Sequence, residues 1–311
     1  MAELFYARDF YGKTLVELGR KDPNIVVLDA DLSGSTRTAL FGREFPERFF
    51  NMGVAEQNMM ATASGLASCG KVVFASTFSM FASARALDQI RNTISYNNFN
   101  VKIVASHGGI TVGEDGSSHQ ALEDISFMRV IPNMKVVVPC DAEETREAVI
   151  SAYKTPGPFY IRVGRAKVPQ IEGKKPFVLG QGYILNEGED LAIISCGFMV
   201  YQALRALEIL KKQGVNPYVV NIHTIKPIDE KLISELAEKV KGFVVCEEHS
   251  IIGGLGSTVA EVVSERKPLL IKRIGIRDSF GQSGTPGELL KFYGLEPENI
   301  TQACLEILRN A

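Results

Sequence analysis

Short apolar runs rich in β-branched residues alternate with longer amphipathic segments along most of this chain. In the first half the runs are IVVLDADL, KVVFAST, VKIVAS and MKVVVPC, and segments such as AEQNMMATASGLASCG and DAEETREAVISAYKT lie between them. Strands that are apolar on both faces and are joined by helices form parallel sheets covered on both sides. The alternation therefore predicts an α/β fold built on a parallel sheet.

One stretch interrupts the alternation. Residues 166–189 (AKVPQIEGKKPFVLGQGYILNEGE) carry Pro, Gly and Lys and have no long apolar face, which is typical of a linker. The stretch divides the chain into a first domain, residues 1–165, and a smaller α/β domain, residues 190–311. A chain of 311 residues is long enough for two such domains, each with its own core.

Charge and composition narrow the class of protein. The net charge is −2 and the sequence pI is about 6.2, so no global field would attract nucleic acid or an anionic membrane. No stretch approaches the roughly 18–20 apolar residues of a membrane span. The five cysteines are far apart and mostly lie in apolar runs, which indicates buried thiols in a reducing compartment. These features predict a cytoplasmic enzyme or enzyme subunit.

Two short segments could carry chemistry. GVAEQ delivers Glu56 into the opening of a helix of small and apolar residues, and TFSMF places Phe78 and Phe81 three residues apart between a strand and a helix. A glutamate at such a position is more often a charge on the helix dipole, and such an aromatic pair is more often part of a core. Neither segment is specific when taken alone.

The segment HGGITVGEDGSSHQALED, residues 107–124, is the least ordinary part of the chain. It follows the strand VKIVAS directly, and open α/β sheets bind ligands at the carboxyl ends of their strands. A metal site of His107, Asp115 and His119 is an alternative to direct substrate binding, although the glycines of the segment would leave these ligands loosely held. The segment predicts a functional loop.

Together these segments are similar to a known family. GVAEQ, TFSMF, HGGITVGEDGSSHQ and IPNMKVVVP, in that order, resemble the pyrimidine-binding domain of transketolases, and DSFGQSGTPGELLKFYGL resembles their C-terminal domain. The resemblance extends over essentially all 311 residues and covers about half of the family's usual single chain. It implies an enzyme that uses thiamine diphosphate.

The resemblance also implies a partner. In the family a GDG motif followed by paired asparagines holds the metal that binds the cofactor's diphosphate, and this chain has no such arrangement. A separate N-terminal subunit would carry that site with its Mg²⁺ or Ca²⁺, and the active site would lie between the two kinds of chain. Two copies of each chain are expected, and this chain alone should be inactive.

Cofactor contacts follow from the motifs that match. Glu56 would hydrogen-bond ring nitrogen N1′ and drive the tautomeric shift that activates the cofactor, sharing a proton in a buried apolar setting. Phe78 and Phe81 would flank the aminopyrimidine ring. Ala84 stands where the family often has a third aromatic residue. Asp31 would lie close to the thiazolium.

Substrate contacts follow in the same way. His119 would hydrogen-bond donor hydroxyls and relay protons near the reacting carbons, and Asp115 would bind a sugar hydroxyl. The phosphate of the sugar would be held by cationic and hydroxyl side chains, namely Arg8, Ser35, His107 and Arg165. Taken singly, several of these residues could be surface charges or turn residues, and the hypothesis depends on their joint match.

The second domain contains GGLGS, residues 253–257, before a helix. Free N–H groups at a helix N-terminus can bind an anion, but the full dinucleotide pattern is lacking, so a tight turn is the favoured interpretation. The second domain is therefore predicted to serve assembly.

Three alternatives remain beside transfer of a two-carbon ketol unit between sugar phosphates. The β subunit of a 2-oxoacid dehydrogenase E1 has a similar architecture and glutamate, and deoxyxylulose phosphate synthase has closer motifs but normally keeps both halves in one chain. A catalytically silent regulatory subunit is the alternative from another class. The presence of Glu56 with both loop histidines argues against the silent subunit.

Overall fold

A computed structural model of the chain describes residues 3–310, which contain two large β-sheets covered by helices and a small two-stranded sheet. The predicted α/β fold is confirmed, because most neighbouring strands in both sheets are parallel. The strands are β1 (Leu4–Phe5), β2 (Ile25–Asp29), β3 (Phe49–Asn51), β4 (Val72–Phe78), β5 (Val101–Ser106), β6 (Lys135–Val137), β7 (Phe159–Arg162), β8 (Val168–Pro169), β9 (Tyr183–Asn186), β10 (Glu189–Ser195), β11 (Pro217–Asn221), β12 (Thr224–Lys226), β13 (Gly242–Ser250) and β14 (Leu270–Ile276).

Helices follow most of these strands. The α-helices are α1 (Ala7–Lys21), α2 (Ser33–Thr36), α3 (Ala39–Glu44), α4 (Glu56–Ser68), α5 (Leu87–Gln89), α6 (Asp124–Val130), α7 (Ala142–Lys154), α8 (Met199–Lys212), α9 (Glu230–Ala237), α10 (Leu255–Arg266), α11 (Pro286–Phe292) and α12 (Pro297–Asn310). Two π-helical turns span Phe81–Arg85 and Ile90–Ser95, and two 3₁₀ segments span Pro46–Arg48 and Ile110–Asp115.

The first sheet has seven strands in the order β12-β6-β7-β5-β4-β2-β3. Its strands alternate their side chains between two apolar layers: in β2, Val26 and Leu28 pack on the face covered by α4 and α6, and Ile25 and Val27 on the face covered by α1 and α7. Both faces are buried, which is why a continuous apolar run, and not a polar and apolar alternation, marks each strand in the sequence.

The second sheet has five strands in the order β14-β13-β10-β11-β9, with β9 antiparallel to β11. Helices α8 and α12 cover one face, and α9 and α10 pack toward the first sheet. Here too the parallel central strands are buried on both sides, as the apolar runs LAIISCG and FVVCEE predict.

The segment predicted as a linker contains ordered structure. Its strand β8 pairs with β1, and its strand β9 forms the edge of the second sheet. Between them, Lys174 forms an ion pair of 2.6 Å with Asp141, which precedes α7. Residues 166–189 are therefore held against both halves of the chain.

The two halves also share a strand and a core. The sequence pattern placed PYVVNIHTI in one strand of the second half, but the chain turns after β11, and β12 pairs antiparallel with β6 of the first sheet. The largest apolar cluster accordingly includes Val138 from the first half and Val220 and Ile225 from the second. The expectation of two separate cores is wrong in this respect.

Two smaller features complete the description. Four of the cysteines are buried free thiols, but Cys69 is exposed, at the end of α4, so it departs from the expected burial. Among residues 3–310, no helix is both long enough and apolar enough to cross a membrane.

Candidate active site

Glu56 is the first residue of α4, and its side chain is 1% exposed. The approach passes through Gly53, whose φ of +70° is readily available only to glycine. One carboxylate oxygen of Glu56, Oε2, accepts a hydrogen bond of 2.7 Å from Arg85 Nη1, and the other, Oε1, has only a long contact of 3.4 Å with the hydroxyl of Thr77. The setting is buried as expected, but it is not simply apolar, since its nearest partner is a cation.

Arg85 was not among the residues predicted for the site. It ends the π-helical turn that Phe81 begins, and its guanidinium lies 4.6 Å above the ring of Phe81. Short π-helical turns inside helices are frequent at functional sites. The flat group that lies on Phe81 is the guanidinium of Arg85, the residue after Ala84.

Phe78 and Phe81 stack on each other, with ring centroids 5.9 Å apart and planes inclined by 20°. A third ring between two others would need a separation of about 7 Å, because carbon atoms in contact lie about 3.5 Å apart. The pair therefore forms one aromatic platform and does not enclose a ring. Phe78 is almost fully buried, so Phe81 is the more accessible ring.

His107 follows β5 and forms the back of this platform. Its imidazole stacks on Phe78 with centroids 3.7 Å apart, and its Nδ1 lies 2.9 Å from the hydroxyl of Ser106. Burial, followed by the nearby Arg8 and Arg165 guanidiniums, lowers the pKa of His107 to about 3. The imidazole is neutral at physiological pH, so it can serve a phosphate only as a neutral donor.

His119 lies on the other side of the platform. Its ring meets the edge of Phe81 at 5.2 Å and that of Phe78 at 6.2 Å, and it is partly exposed. Residues 107–121, here named the site loop, thus contact Phe78 near both ends, through His107 and through His119. Within residues 3–310 no three His, Cys, Asp or Glu side chains converge to hold a metal, so the alternative metal site has no support.

Cations lie on the outer side of the loop. Arg8 Nη1 donates to the Ser35 carbonyl at 3.3 Å, and its buried Nε has no hydrogen-bond partner among the described residues. Arg165 donates to the Val112 carbonyl and lies 3.2 Å from Glu114 and 4.0 Å from Asp115. An unpaired buried guanidinium nitrogen is costly unless a ligand satisfies it, which indicates an anion site.

A cavity of about 490 Å³ adjoins these cations, between the two halves of the chain. Its polar wall includes Arg8, Arg165 and Lys167, and its apolar wall includes Phe198 and Leu290 from the second half. Lys167 was also missed in the sequence, although it lies two residues after Arg165. Its ammonium and the Arg8 guanidinium both contact the ring of Tyr6, at 4.9 and 4.7 Å.

Asp31 lies apart from this group. It has a φ of +65° and accepts a hydrogen bond of 2.8 Å from Asn51, and none of its described contacts is with the aromatic platform. Asp29, two residues earlier, is the buried acid of this turn and accepts from Leu32 N and from the hydroxyls of Thr36 and Thr38. Burial raises the pKa of Asp29, and these hydrogen bonds oppose that rise. Asp29 thus fixes the turn that carries Ser35.

Both halves of the chain match models of known protein families. Residues 5–170 match the family model described as transketolase, pyrimidine binding domain, and residues 180–300 match transketolase, C-terminal domain.

Individual relatives agree over nearly the whole chain. A protein of Methanocaldococcus jannaschii named as a transketolase C-terminal section is 55% identical over 309 residues, which is 97% of this chain and 96% of that one. The 6-deoxy-6-sulfo-D-fructose transketolase subunit of a Clostridium species is 40% identical over 98% of this chain and 95% of its own. A solved structure described as a split gene transketolase, inactive β4 tetramer, is 49% identical, with a TM-score of 0.91 over 98% of this chain and 99% of that one.

The site residues fit one end of thiamine diphosphate, the cofactor of that family. Glu56 offers a buried carboxylate oxygen with only one long contact, and Phe81 offers an aromatic face beside it, which suits a flat heteroaromatic ring. The described residues offer no metal-binding group for the diphosphate end. The chain thus has the residues for the pyrimidine end of the cofactor.

Proposed function

The chain belongs to the transketolase family, and we propose that it is the C-terminal subunit of a two-chain enzyme that transfers a two-carbon ketol unit from a ketose phosphate to an aldose phosphate. The convergence of Glu56, Phe81 and His119 at one edge of the first sheet supports this proposal most strongly. In it, residues 1–165 bind the pyrimidine end of the cofactor, residues 166–189 connect the halves, and residues 190–311 form the second domain.

Thiamine diphosphate, when bound, supplies the nucleophilic carbon that carries the two-carbon unit. Glu56 would hold a proton at the pyrimidine nitrogen N1′ through Oε1, the carboxylate oxygen that Arg85 does not contact. Phe81, backed by Phe78, would orient the ring and exclude water from one side. Asp31 would act near the thiazolium only if its turn moves toward the platform.

The sugar would be bound by the site loop and by the cations around it. His119 would hold or move a proton at a hydroxyl next to the reacting carbons, and Asp115 would accept a hydrogen bond from a sugar hydroxyl. The anionic end would bind Arg8, Ser35 and Arg165, with neutral His107 as a further donor. The sulfo-sugar named for the Clostridium relative also has an anionic end, which fits such a site.

A partner chain would complete the site. We propose a separate N-terminal subunit that holds the diphosphate with Mg²⁺ or Ca²⁺, in an assembly with two copies of each chain. The split-gene relative that forms a β4 tetramer is described as inactive, which agrees with a chain that lacks activity alone. All five cysteines are free thiols, which fits the cytoplasm as the proposed location.

The test is reconstitution. This chain, its N-terminal partner, thiamine diphosphate and a divalent ion would be mixed, and transfer from a ketose phosphate to an aldose phosphate followed by product analysis. We expect activity only in the complete mixture, and native mass spectrometry should report two copies of each chain.

Other outcomes would redirect the assignment. Carbon dioxide released from a 2-oxoacid, without transfer between sugars, would identify a dehydrogenase E1 subunit or a deoxyxylulose phosphate synthase activity. No activity of any kind, with both chains folded and assembled, would leave the silent regulatory subunit.

A further inference from the structure

We propose that Glu248, in the second half of the chain, is a positioning residue for the site loop and that substrate binding depends on it. This inference rests on the proposed function, since it assigns the second domain a part in the same site.

The side chain of Glu248 reaches from β13 into the first residues of the site loop. Its Oε1 accepts a hydrogen bond of 2.5 Å from the backbone N–H of Thr111, which is 137 residues away in sequence. Both groups are buried, with Glu248 3% exposed and Thr111 0% exposed. A buried hydrogen bond to a charged acceptor is among the stronger ones, and its loss leaves the N–H unsatisfied.

Gly109 shows how closely the two halves meet. Its φ is +92°, and a Cβ atom placed there would lie 2.3 Å from Oε1 of Glu248. No side chain fits in that space, so the loop can take this path only with glycine at this position. The shape of the loop start is therefore matched to the carboxylate of the second domain.

The far end of the loop is bound to the same residue through Arg162. Its Nη2 donates to the carbonyl of Ala121 and to that of Glu248, each at 2.9 Å, and its Nε donates to Asp124 at 2.8 Å. The loop closes on itself as well, because Gly109 N–H donates to the Ala121 carbonyl. Glu248 thus holds the first turn by its side chain, and its carbonyl accepts from the same Arg162 nitrogen that donates to the last residue of the loop.

The loop residues between these two attachments explain why Glu248 should matter for substrate binding. Asp115 and His119 are both on the loop, and neither is held by a buried side-chain hydrogen bond of its own. The position of His119 beside the aromatic platform and that of Asp115 beside Arg165 therefore depend on the loop backbone. The cofactor contacts of Glu56 and Phe81 do not pass through the loop. Removing the Glu248 carboxylate should therefore affect the sugar and spare the cofactor.

The neighbouring residue provides a matched control. Glu247 is equally buried, but its carboxylate points to the other side of β13 and accepts N–H groups of Leu255 and Gly256 at the start of α10, at 2.7 and 2.8 Å. The GGLGS turn thus binds the protein's own carboxylate, which leaves no open anion site there. Glu247 stabilises the second domain without touching the loop.

The experiment compares Glu248→Ala and Glu248→Gln with Glu247→Ala. Hydrogen exchange of a peptide covering residues 107–121 is measured on the full chain, and the donor KM, kcat and cofactor affinity on the assembled enzyme. For Glu248→Ala we expect exchange at the Thr111 amide and the donor KM each to rise about tenfold or more, with cofactor affinity unchanged. Glu248→Gln keeps an acceptor and should recover part of both effects.

The inference is overturned if Glu248→Ala leaves exchange at the loop unchanged, or if Glu247→Ala raises loop exchange and donor KM as much. Should Glu248→Ala fail to fold, Glu248→Gln alone decides, by the same comparison with Glu247→Gln. Exchange needs no turnover, so a wild-type mixture without activity would count against the proposed function and not against the positioning role.

Discussion

The guanidinium of Arg85 lies 2.7 Å from the carboxylate of Glu56 and at the same time rests 4.6 Å above the ring of Phe81. A planar donor therefore already lies on one carboxylate oxygen of Glu56 and on the face of Phe81, the two groups proposed to contact the cofactor pyrimidine. The glutamate end of this ion pair is buried, with 1% of its side chain exposed, but the arginine end is 46% exposed, so the guanidinium can move into solvent when a ligand binds.

Arg85→Met should tighten thiamine diphosphate binding to the assembled enzyme. Removal of the half-exposed guanidinium leaves the buried Glu56 carboxylate without its partner in the unliganded site, so a ring that hydrogen-bonds to it should bind with a Kd about two- to fivefold lower. Calorimetric titration measures the change. The control is Arg91→Met, an exposed arginine in the next π-helical turn that contacts Asn92. Weaker cofactor binding in Arg85→Met would show instead that Arg85 supports the bound state.

Glu56→Gln should leave assembly intact and remove most turnover. Only the group that holds a proton at the pyrimidine is lost, and such groups contribute about a hundredfold or more to rate. The measurements are kcat and native mass spectrometry on the same preparation. Turnover near the wild-type level in the assembled variant would exclude the proposed role of Glu56.

His107→Asn should make stability less sensitive to acid. Between pH 6.5 and pH 3 the unfolded chain protonates this histidine while the folded chain, with a pKa of about 3, does not. The wild type thus loses stability as pH falls, by about 1.4 kcal/mol per pH unit from this group. Asparagine tolerates the φ of +61° at this position.

The measurement for this variant is the free energy of unfolding in urea at pH 6.5, 5.5 and 4.5. The free energy of unfolding of the wild type, relative to that of the variant, should fall steadily toward low pH. Parallel pH curves for the two proteins would mean that His107 titrates normally in the folded chain.

Lys167→Met should raise the KM for phosphorylated sugars and leave kcat nearly unchanged. The ammonium lines the cavity beside Arg8 and Arg165, and one exposed charge contributes up to about 1 kcal/mol, or about fivefold in KM. The effect should shrink at high salt. Lys175→Met, another exposed lysine after Arg165, is the control. An equal KM change in both variants would show that the overall charge of the chain, and not the position of Lys167, causes the effect.

Part of this site could be predicted from sequence because its residues lie next to strong periodic signals. Glu56 begins a helix and His107 directly follows a strand. Because the apolar runs locate the strands, they also indicate the edge of the sheet at which these two residues lie. Arg85 could not be found in this way, because its ion pair with Glu56 joins two helical segments 29 residues apart, and nothing in the apolar period indicates that contact.

Contacts between distant segments were the other source of misses. Glu248 and Thr111 meet only after both sheets have formed and packed, and β12 leaves its own domain for the edge of the first sheet. The pattern of residues 215–226 is compatible with one long strand, and only the packing of the halves favours the turn. The strands β8 and β9, which lie within the predicted linker, were missed for the same reason.

The pairing of β12 with β6 of the first sheet has consequences for truncation of the chain, for its evolution and for its engineering. A fragment ending near residue 165 would leave the hydrogen-bonding edge of β6 uncovered and open to pairing with another molecule. Expressed by itself, the pyrimidine-binding half should aggregate or swap strands. Domain exchange between relatives should therefore succeed only when both halves of the chain are transferred as one unit.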